Sequence, residues 1–195
     1  LSGGPNSVEG ENAPFRDVKE LVELAPVLGI CYGMQLLSKS LGGRVEGSDL
    51  SEYGLNKIKW LKPISDDVPE EQKVWMSHGD VVKIPPPGFE VVAQSGSGHA
   101  AAMVSERAWG FQFHPEVTHT EQGDDLLKSY VFGLCKAEPS WDSQCMKTEL
   151  SEGILKAVGS TDHVLCGLSG GVDSSVVATL LTRCLGAERV HCIFV

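Results

Sequence analysis

The sequence predicts an α/β protein made of two units, and three observations carry that prediction. Two short apolar runs, Val27–Ile30 and Val164–Leu168, each pass through a glycine-containing corner into a helical pattern. Short strand-like runs without helices lie between them, and a polar segment without periodicity follows those runs. We therefore expect a first domain over residues 1–135, a linker over 136–147 and a second domain over 148–195.

The composition excludes several classes of function. The net charge is -10 and no Lys/Arg run interleaves with aromatic residues, so we expect no nucleic acid partner. No apolar run reaches the roughly 18 residues that span a bilayer, so we expect no membrane partner. The six cysteines form no Cys-x-x-Cys pair, which favours free thiols and a cytoplasmic location. Because the chain lacks an initiator methionine and ends on an apolar strand, we expect an interior piece of a longer protein.

The first thirty residues are expected to contain a loop, a helix and a strand. Leu1 to Pro5 has the pattern of a strand end and a tight glycine loop, since glycine allows backbone conformations that other residues resist. Such a loop can bind an oxyanion, although an ordinary Gly-Pro turn explains the same residues. A short helix is predicted over Phe15–Leu24, before the strand Val27–Ile30.

Cys31 lies where this strand turns into a helix whose apolar positions recur until Gly42. Gly29 and Gly33 on either side leave room for the sharp turn that lifts a nucleophile above a sheet edge. A thiol at a helix N-terminus is favoured as the thiolate, and the same N–H groups can stabilise an oxyanion. The alternative is a buried core cysteine, which is common in proteins.

The middle of the chain is predicted to be mostly antiparallel. Its strand-like runs are Leu55–Trp60, Lys73–Met76, Phe89–Gln94, Ala100–Val104 and Trp109–Phe113. After the second run, His78 or Asp80 can line a site, but residue type favours a polar turn at Ser77–Asp80.

His114 and Glu116 form the second candidate catalytic element. Pro115 favours an extended backbone at His114, and residues two apart in an extended chain project to one side. A carboxylate beside an imidazole can fix its tautomer and favour the cation that accompanies a thiolate. The alternative is a strand-end histidine next to a solvated glutamate.

Two helices are predicted around the linker. Thr118 and Glu121 have the spacing of a capping box before an apolar helical face that ends at Leu134. The next helix is expected to begin at Thr148 and to stop at Gly159.

The second domain carries a Ser/Gly-rich corner between a strand and a helix of one βαβ unit. Backbone N–H groups and hydroxyls at such a helix N-terminus can hold phosphate, although the corner has neither the Walker lysine nor Gly-x-Gly-x-x-Gly. Helix capping alone is the simpler alternative, and Asp173 is the candidate ligand of Mg²⁺. The candidate phosphate-binding residues are Ser169, Gly170, Gly171, Val172, Asp173, Ser174 and Ser175.

These motifs resemble known families. Gly29–Gln35 and Phe113–Glu116 resemble the catalytic motifs of class I glutamine amidotransferases, and Leu168–Ser174 resembles the ATP-pyrophosphatase loop. An amidotransferase followed by a pyrophosphatase is similar to the family of glutamine-hydrolysing GMP synthetases, over essentially the whole chain. The match is strengthened by Ser2–Pro5, Trp75–Asp80 and Val117–Thr120.

The resemblance implies the fold class and the first reaction. It implies a flavodoxin-like three-layer amidotransferase domain without its N-terminal part, then the first βαβ unit of an adenine nucleotide α-hydrolase-like (PP-loop) domain. Cys31 would attack the glutamine side-chain amide, His114 would move the proton, and Glu116 would orient His114.

The resemblance also implies binding residues, cofactors and partners. Backbone N–H groups of Gly4 and Tyr32 would form the oxyanion hole, and Gln35 would help to hold glutamine. In the family, the second domain uses ATP and Mg²⁺, without an organic prosthetic group, to adenylate xanthosine monophosphate, and ammonia displaces AMP to give GMP. The parent protein is expected to be a homodimer through a domain absent from this chain.

Three other functions stay open at this point. NAD synthetases share the second loop but use a different amidase domain, so Cys31, His114 and Glu116 argue against them. A thiouridine-forming pyrophosphatase would bind tRNA, which the acidic charge disfavours. A non-catalytic nucleotide-binding fragment is the third alternative.

Overall fold

The structure is a computed structural model that describes residues 1–65 and 68–195. These residues form two compact units, Leu1–Glu138 and Pro139–Val195. In the described ranges, no helix is both long and apolar enough to cross a bilayer.

The first unit contains one sheet and its helices. In chain order its elements are α1 (Val18–Leu24), β1 (Val27–Ile30), α2 (Tyr32–Ser40), β2 (Arg44–Trp60), β3 (Glu71–Ile84), β4 (Glu90–Ser95), β5 (Ala100–Val104), β6 (Ala108–Phe111), α3 (Gly123–Lys128) and a π-helical segment (Ser129–Leu134).

The sheet has six strands in the order β1-β6-β5-β4-β2-β3. β1 pairs with β6 in parallel, and the other neighbouring strands pair antiparallel, which confirms the prediction for the middle of the chain. Leu1 lies along the free side of β1, because its carbonyl oxygen accepts a hydrogen bond from Ile30 N at 2.9 Å.

Apolar side chains pack on both faces of this sheet, since successive residues of a strand point to opposite sides. On one face Val18 of α1 and Leu37 of α2 are buried in the same cluster as Ala108 of β6. On the other face Phe111 of β6 packs in a cluster with Leu126 of α3. Helices therefore cover both faces, and the unit has three layers.

The polar turn predicted at Ser77–Asp80 is wrong. These residues lie inside β3, which pairs with β2 over a much longer stretch than the apolar runs indicated. Glu52 of β2 is the register partner of His78 and Gly47 is that of Asp80, with a register shift between them. The opposite strand supplies a partner for a polar side chain, so polarity alone did not indicate a turn here.

Two helix starts in the first unit differ from the predicted ones. α1 begins at Val18 rather than Phe15, because Asp17 caps it by accepting a hydrogen bond from Lys19 N at 2.9 Å. The predicted capping box before α3 is also wrong. The Thr120 hydroxyl accepts from Trp75 N and donates to the His114 carbonyl oxygen, and α3 starts only at Gly123.

The second unit is a βαβ unit preceded by a helix. Its elements are α4 (Ser143–Ala157), β7 (Val164–Leu168), α5 (Val172–Leu185), a 3₁₀ turn (Ala187–Arg189) and β8 (Val190–Phe194). β7 and β8 pair in parallel, as predicted. α4 begins five residues earlier than expected, since the Asp142 carboxylate accepts hydrogen bonds from Gln144 N and Cys145 N at 2.9 and 2.8 Å.

Candidate active site

Cys31 occupies a strained corner between β1 and α2. Its φ of 51° and ψ of -109° are rare for a residue with a side chain, and such strain persists only where the surroundings enforce it. A Cβ on Gly29 would lie 2.6 Å from the Gly33 carbonyl oxygen, and one on Gly33 would lie 2.3 Å from that of Leu1. Both positions therefore require glycine for the corner to close.

His114 follows β6 and is fixed on both its backbone and its ring. Its N–H donates to the Trp75 carbonyl oxygen at 2.9 Å, and its carbonyl oxygen accepts from Thr120. The ring Nδ1 lies 2.7 Å from Glu116 Oε1, so Nδ1 carries the proton that the carboxylate accepts. Nε2 is the ring nitrogen that stays available for chemistry.

The electrostatics link His114 to Cys31. A hydrogen bond with Cys31 and one with Glu116 raise the pKa of His114 to about 9 against the opposing effect of burial. A Cβ on Gly3 would lie 2.8 Å from His114 Cε1 and 3.5 Å from Cys31 Cβ, so the glycine loop lies directly against both side chains. The three candidate catalytic residues therefore lie in one row, thiol to imidazole to carboxylate.

This row opens into a cavity of about 580 Å³. The Cys31 side chain is 2% exposed, and its Sγ donates to the Ser77 carbonyl oxygen at 3.5 Å. The cavity is lined by Gly3, Gly4, Pro5, Asn6, Ser7, Cys31, Gln35, Tyr53, Ser77, His78, Gly79, Asp80 and His114. A small polar molecule that enters it meets the thiol and the imidazole together.

The structure places Gly4, Tyr32 and Gln35 beside this row in different ways. Tyr32 is the first residue of α2, so its N–H has no partner within the helix, while its hydroxyl donates to the Pro14 carbonyl oxygen. A Cβ on Gly4 would lie 3.8 Å from Tyr32 Cβ, so the loop and the helix start are in contact. Gln35 Nε2 donates to the Asp80 carbonyl oxygen at 3.0 Å.

The expectation that Gly3 and Gly4 use backbone conformations reserved for glycine is wrong. Neither Gly3 nor Gly4 has a positive φ, so this loop does not use a conformation reserved for glycine. Space is the actual reason at Gly3, where a side chain would collide with His114.

The comparison with known families decides the identity of the first unit. The family model described as "Glutamine amidotransferase class-I" matches residues 1–134. The chain belongs to the class-I glutamine amidotransferase family. A second family model, described as "NAD synthase", matches residues 146–195 of this amidotransferase chain.

Curated relatives share similarity over all of the amidotransferase chain. A GMP synthase [glutamine-hydrolyzing] of Bdellovibrio bacteriovorus is 56% identical over 195 residues, which are 100% of this chain and 38% of the relative. The one of Bacillus subtilis is 49% identical over 200 residues, with the same two coverages. The chain thus spans about two fifths of the length of these relatives, and the predicted resemblance to GMP synthetases is confirmed.

Two solved structures are similar in fold. A Thermoplasma acidophilum protein described as a candidate GMP synthase subunit has a TM-score of 0.56 and 29% identity, covering 61% of this chain and 62% of that one. A glutamine amidotransferase of Thermotoga maritima has a TM-score of 0.50 and 24% identity, covering 95% and 76%. With the two family models, they confirm a class I amidotransferase fold followed by the start of a PP-loop-like domain.

Sequence reasoning favoured a turn over a site at Ser77–Asp80, yet these residues form part of the cavity wall. Ser77 offers a backbone carbonyl to the thiol, and Asp80 lines the cavity with a buried Oδ2 that has no hydrogen-bond partner among the described residues. His78 lines it too, with its ring beside Glu52. The polar Ser-His-Gly-Asp run was visible in the sequence, but nothing in it indicated a strand.

The Ser/Gly-rich corner of the second unit lies at the start of α5. Gly170 has a φ of 78°, a conformation that favours glycine, and Gly171 is the residue that precedes the helix. The hydroxyls of Ser174 and Ser175 both donate to the Gly171 carbonyl oxygen, at 3.1 and 2.9 Å. The loop therefore wraps the helix N-terminus, with Asp173 in its first turn.

Proposed function

We propose that the first unit hydrolyses the side-chain amide of glutamine with Cys31 as the nucleophile. The observation that carries this proposal is the row Cys31–His114–Glu116 at a strained corner that opens into a cavity. Membership in the amidotransferase family supports the choice of an amide substrate.

In the first step, the Cys31 thiolate attacks the amide carbon and a new C–S bond forms. The protonated His114 then gives its proton to the amide nitrogen, so the C–N bond breaks and ammonia leaves a thioester. In the second step, His114 takes a proton from water, and the hydroxide attacks the thioester to release glutamate and the thiol. The pKa of about 9 for His114 supports its cationic form before the first step.

We assign charge stabilisation to backbone groups. The tetrahedral intermediate carries an oxyanion, which N–H groups stabilise well because they are already oriented. The N–H of Tyr32 at the start of α2 and that of Gly4 in the adjoining loop are the proposed donors.

We assign binding of the amino-acid end of glutamine to the part of the cavity wall that Gln35 and Asp80 form. Gln35 lines the cavity with its Nε2 bound to the Asp80 carbonyl oxygen. The Asp80 carboxylate has a buried oxygen without a partner among the described residues, which suits an ammonium group of the substrate.

For the full-length protein, we propose the synthesis of GMP from xanthosine monophosphate, ATP and glutamine. The names of the relatives support it, and the second unit supplies a corner of the kind that holds phosphate. The proposed ATP-binding residues are Ser169, Gly170, Gly171, Val172, Asp173, Ser174 and Ser175. The proposed boundaries are 1–135 for the amidotransferase domain, 136–147 for the linker and 148–195 for the ATP-binding part.

The residues near the phosphate corner fit a magnesium ion only in part. Among the residues that the structure describes, no three His, Cys, Asp or Glu side chains cluster to hold a metal ion. Asp173 offers a single carboxylate, so Mg²⁺ would need the nucleotide phosphates as further ligands. A cytoplasmic homodimer that binds neither nucleic acid nor membranes remains part of the proposal, and the net charge of -10 supports the absence of nucleic acid.

An NAD synthase-like ligase is the second candidate, because that family model matches residues 146–195. The two functions differ in the acceptor molecule that receives ammonia. Supplying the full-length protein with ATP, ammonia and either xanthosine monophosphate or the acidic dinucleotide precursor of NAD therefore separates them.

The experiment measures glutamate release and GMP formation by the full-length protein and by Cys31→Ala. We expect Cys31→Ala to lose glutamine hydrolysis but to keep GMP formation from added ammonia, because the thiol serves only the first unit. Loss of the ammonia-dependent reaction in a folded Cys31→Ala protein contradicts the division of labour between two units.

A further inference from the structure

A buried pair of side chains lies beside the candidate active site without belonging to the catalytic row. Glu52 of β2 and His78 of β3 face each other in the sheet register, at the end of the register shift in β2. His78 Nε2 lies 3.2 Å from Glu52 Oε2, and the two side chains are only 1% and 5% exposed. Burying two ionisable groups is costly unless they satisfy each other, so the pair needs a reason.

Glu52 is held in its charged form by its neighbours. Burial raises the pKa of this carboxyl, but the neighbouring His78, Ser95 and Ser97 outweigh it and lower the pKa below the usual value. The contact between Glu52 Oε2 and His78 Nε2 is an ion pair without hydrogen-bond geometry. On the other side of the ring, His78 Nδ1 lies 3.0 Å from the Asp80 carbonyl oxygen, so Nδ1 carries a proton. The ring is thus fixed between a carboxylate and a backbone carbonyl.

The same carbonyl oxygen connects this pair to the catalytic helix. It accepts a second hydrogen bond from Gln35 Nε2, also at 3.0 Å. Gln35 lies in α2, one turn after the nucleophile Cys31, and lines the cavity. A continuous chain of contacts therefore runs from Glu52 through His78 and the Asp80 carbonyl to Gln35.

We propose that Glu52 is a positioning residue that, through His78, fixes the Asp80 segment and Gln35 for binding of the substrate amino acid. The inference rests on the proposed glutamine hydrolysis. Among the described residues, Glu52 forms no hydrogen bond or ion pair with Cys31, His114 or Glu116, so we expect its removal to leave the thiol and imidazole in place.

The kinetic test uses Glu52→Gln in the full-length protein, which keeps the shape of the side chain and removes its charge. We expect the KM for glutamine to rise about tenfold, with kcat changed less than about threefold, because a charge-assisted contact that supports binding is lost. Glu52→Asp keeps the charge, so we expect its KM for glutamine to lie between those of Glu52→Gln and the wild type. Glu46→Gln is the matched control, because Glu46 lies on the same strand in an exposed ion pair with Arg44.

A labelling test separates positioning from general damage to the fold. Iodoacetamide reports the thiol alone, whereas a glutamine-like chloroketone must also occupy the amino-acid site. In Glu52→Gln we expect alkylation of Cys31 by iodoacetamide at the wild-type rate and by the chloroketone about tenfold more slowly.

The outcomes separate the two proposals. An equal loss with both reagents, or an unchanged KM in a folded Glu52→Gln protein, overturns the role of Glu52 alone. If Glu52→Gln does not fold, the kinetics of Glu52→Asp decide the question. Wild-type kinetics in Glu52→Asp would also overturn the role of Glu52, because the shorter side chain moves the carboxylate away from His78. A folded wild-type protein without glutamine hydrolysis contradicts the proposed function itself.

Discussion

Replacing Glu116 by Gln tests how much the carboxylate contributes to the chemistry of His114. In the structure Glu116 Oε1 accepts from His114 Nδ1 at 2.7 Å, and Gln keeps an oxygen acceptor of the same shape without the charge. A hydrogen bond to a charged group contributes about 1.5–3 kcal/mol, which corresponds to a rate factor of about 10 to 150. Because the Glu116 side chain is 44% exposed, water screens its charge and places the effect at the lower end.

We therefore expect Glu116→Gln to lower kcat for glutamine hydrolysis about 10- to 30-fold without abolishing it. The assay is glutamate release at saturating glutamine, with Glu121→Gln as the control. Glu121 is a similarly exposed carboxylate, paired with Lys73 at 3.5 Å, and its loss should leave kcat unchanged. The pKa of His114 in Glu116→Gln, followed by NMR, should fall from about 9, since Glu116 helps to raise it.

Two results would refute this reasoning. If Glu116→Gln is as inactive as Cys31→Ala, Glu116 takes part in bond making rather than in orienting His114. If its kcat equals that of the wild type, the contact has no role in the reaction.

Two further predictions concern pH and packing. The pKa of His114 lies above its ordinary 6.5, at about 9. Protonated His114 therefore stabilises the fold fully below pH 6.5, and this contribution is lost as pH rises through 9. In Cys31→Ala the thermal unfolding temperature should depend less on pH in this window, and an unchanged dependence would contradict the coupling of Cys31 to His114. Gly33→Ala places a Cβ 2.3 Å from the Leu1 carbonyl oxygen and should cost about 2 kcal/mol or more in urea unfolding. Gly133→Ala, where a Cβ meets nothing within 4 Å, is its control, and equal stabilities would show that the corner has room.

The corner at Cys31 was predictable because its signals are local. A strand, a cysteine between glycines and a helix follow each other in the sequence, and the strain at Cys31 is the direct result. The same holds for the strand before α5, whose bounds Val164–Leu168 are those expected from the apolar pattern, although α5 itself starts at Val172, within the Ser/Gly-rich corner. Neighbouring residues decide such features, so one sequence is enough to see them.

The part of the cavity wall that β3 forms was not predictable, because residues far apart in the sequence create it. Asp80 belongs to a strand only because β2 pairs with it across a register shift, and the burial of His78 depends on Glu52. The capping box expected at Thr118 and Glu121 does not form, because α3 starts only at Gly123, and the nearby Thr120 hydroxyl bonds Trp75 and His114. Each of these choices depends on a partner far along the chain, which local patterns do not contain.

The most direct test of the central claim is the site of covalent labelling by a glutamine-like chloroketone. The full-length protein is treated with the reagent, and the adduct is mapped by mass spectrometry with glutamine as the competitor. The account predicts a single adduct at Cys31, which the structure sets against His114 and the cavity, and protection by glutamine. Labels on Cys135, Cys145 or Cys184 with Cys31 unmodified would contradict it.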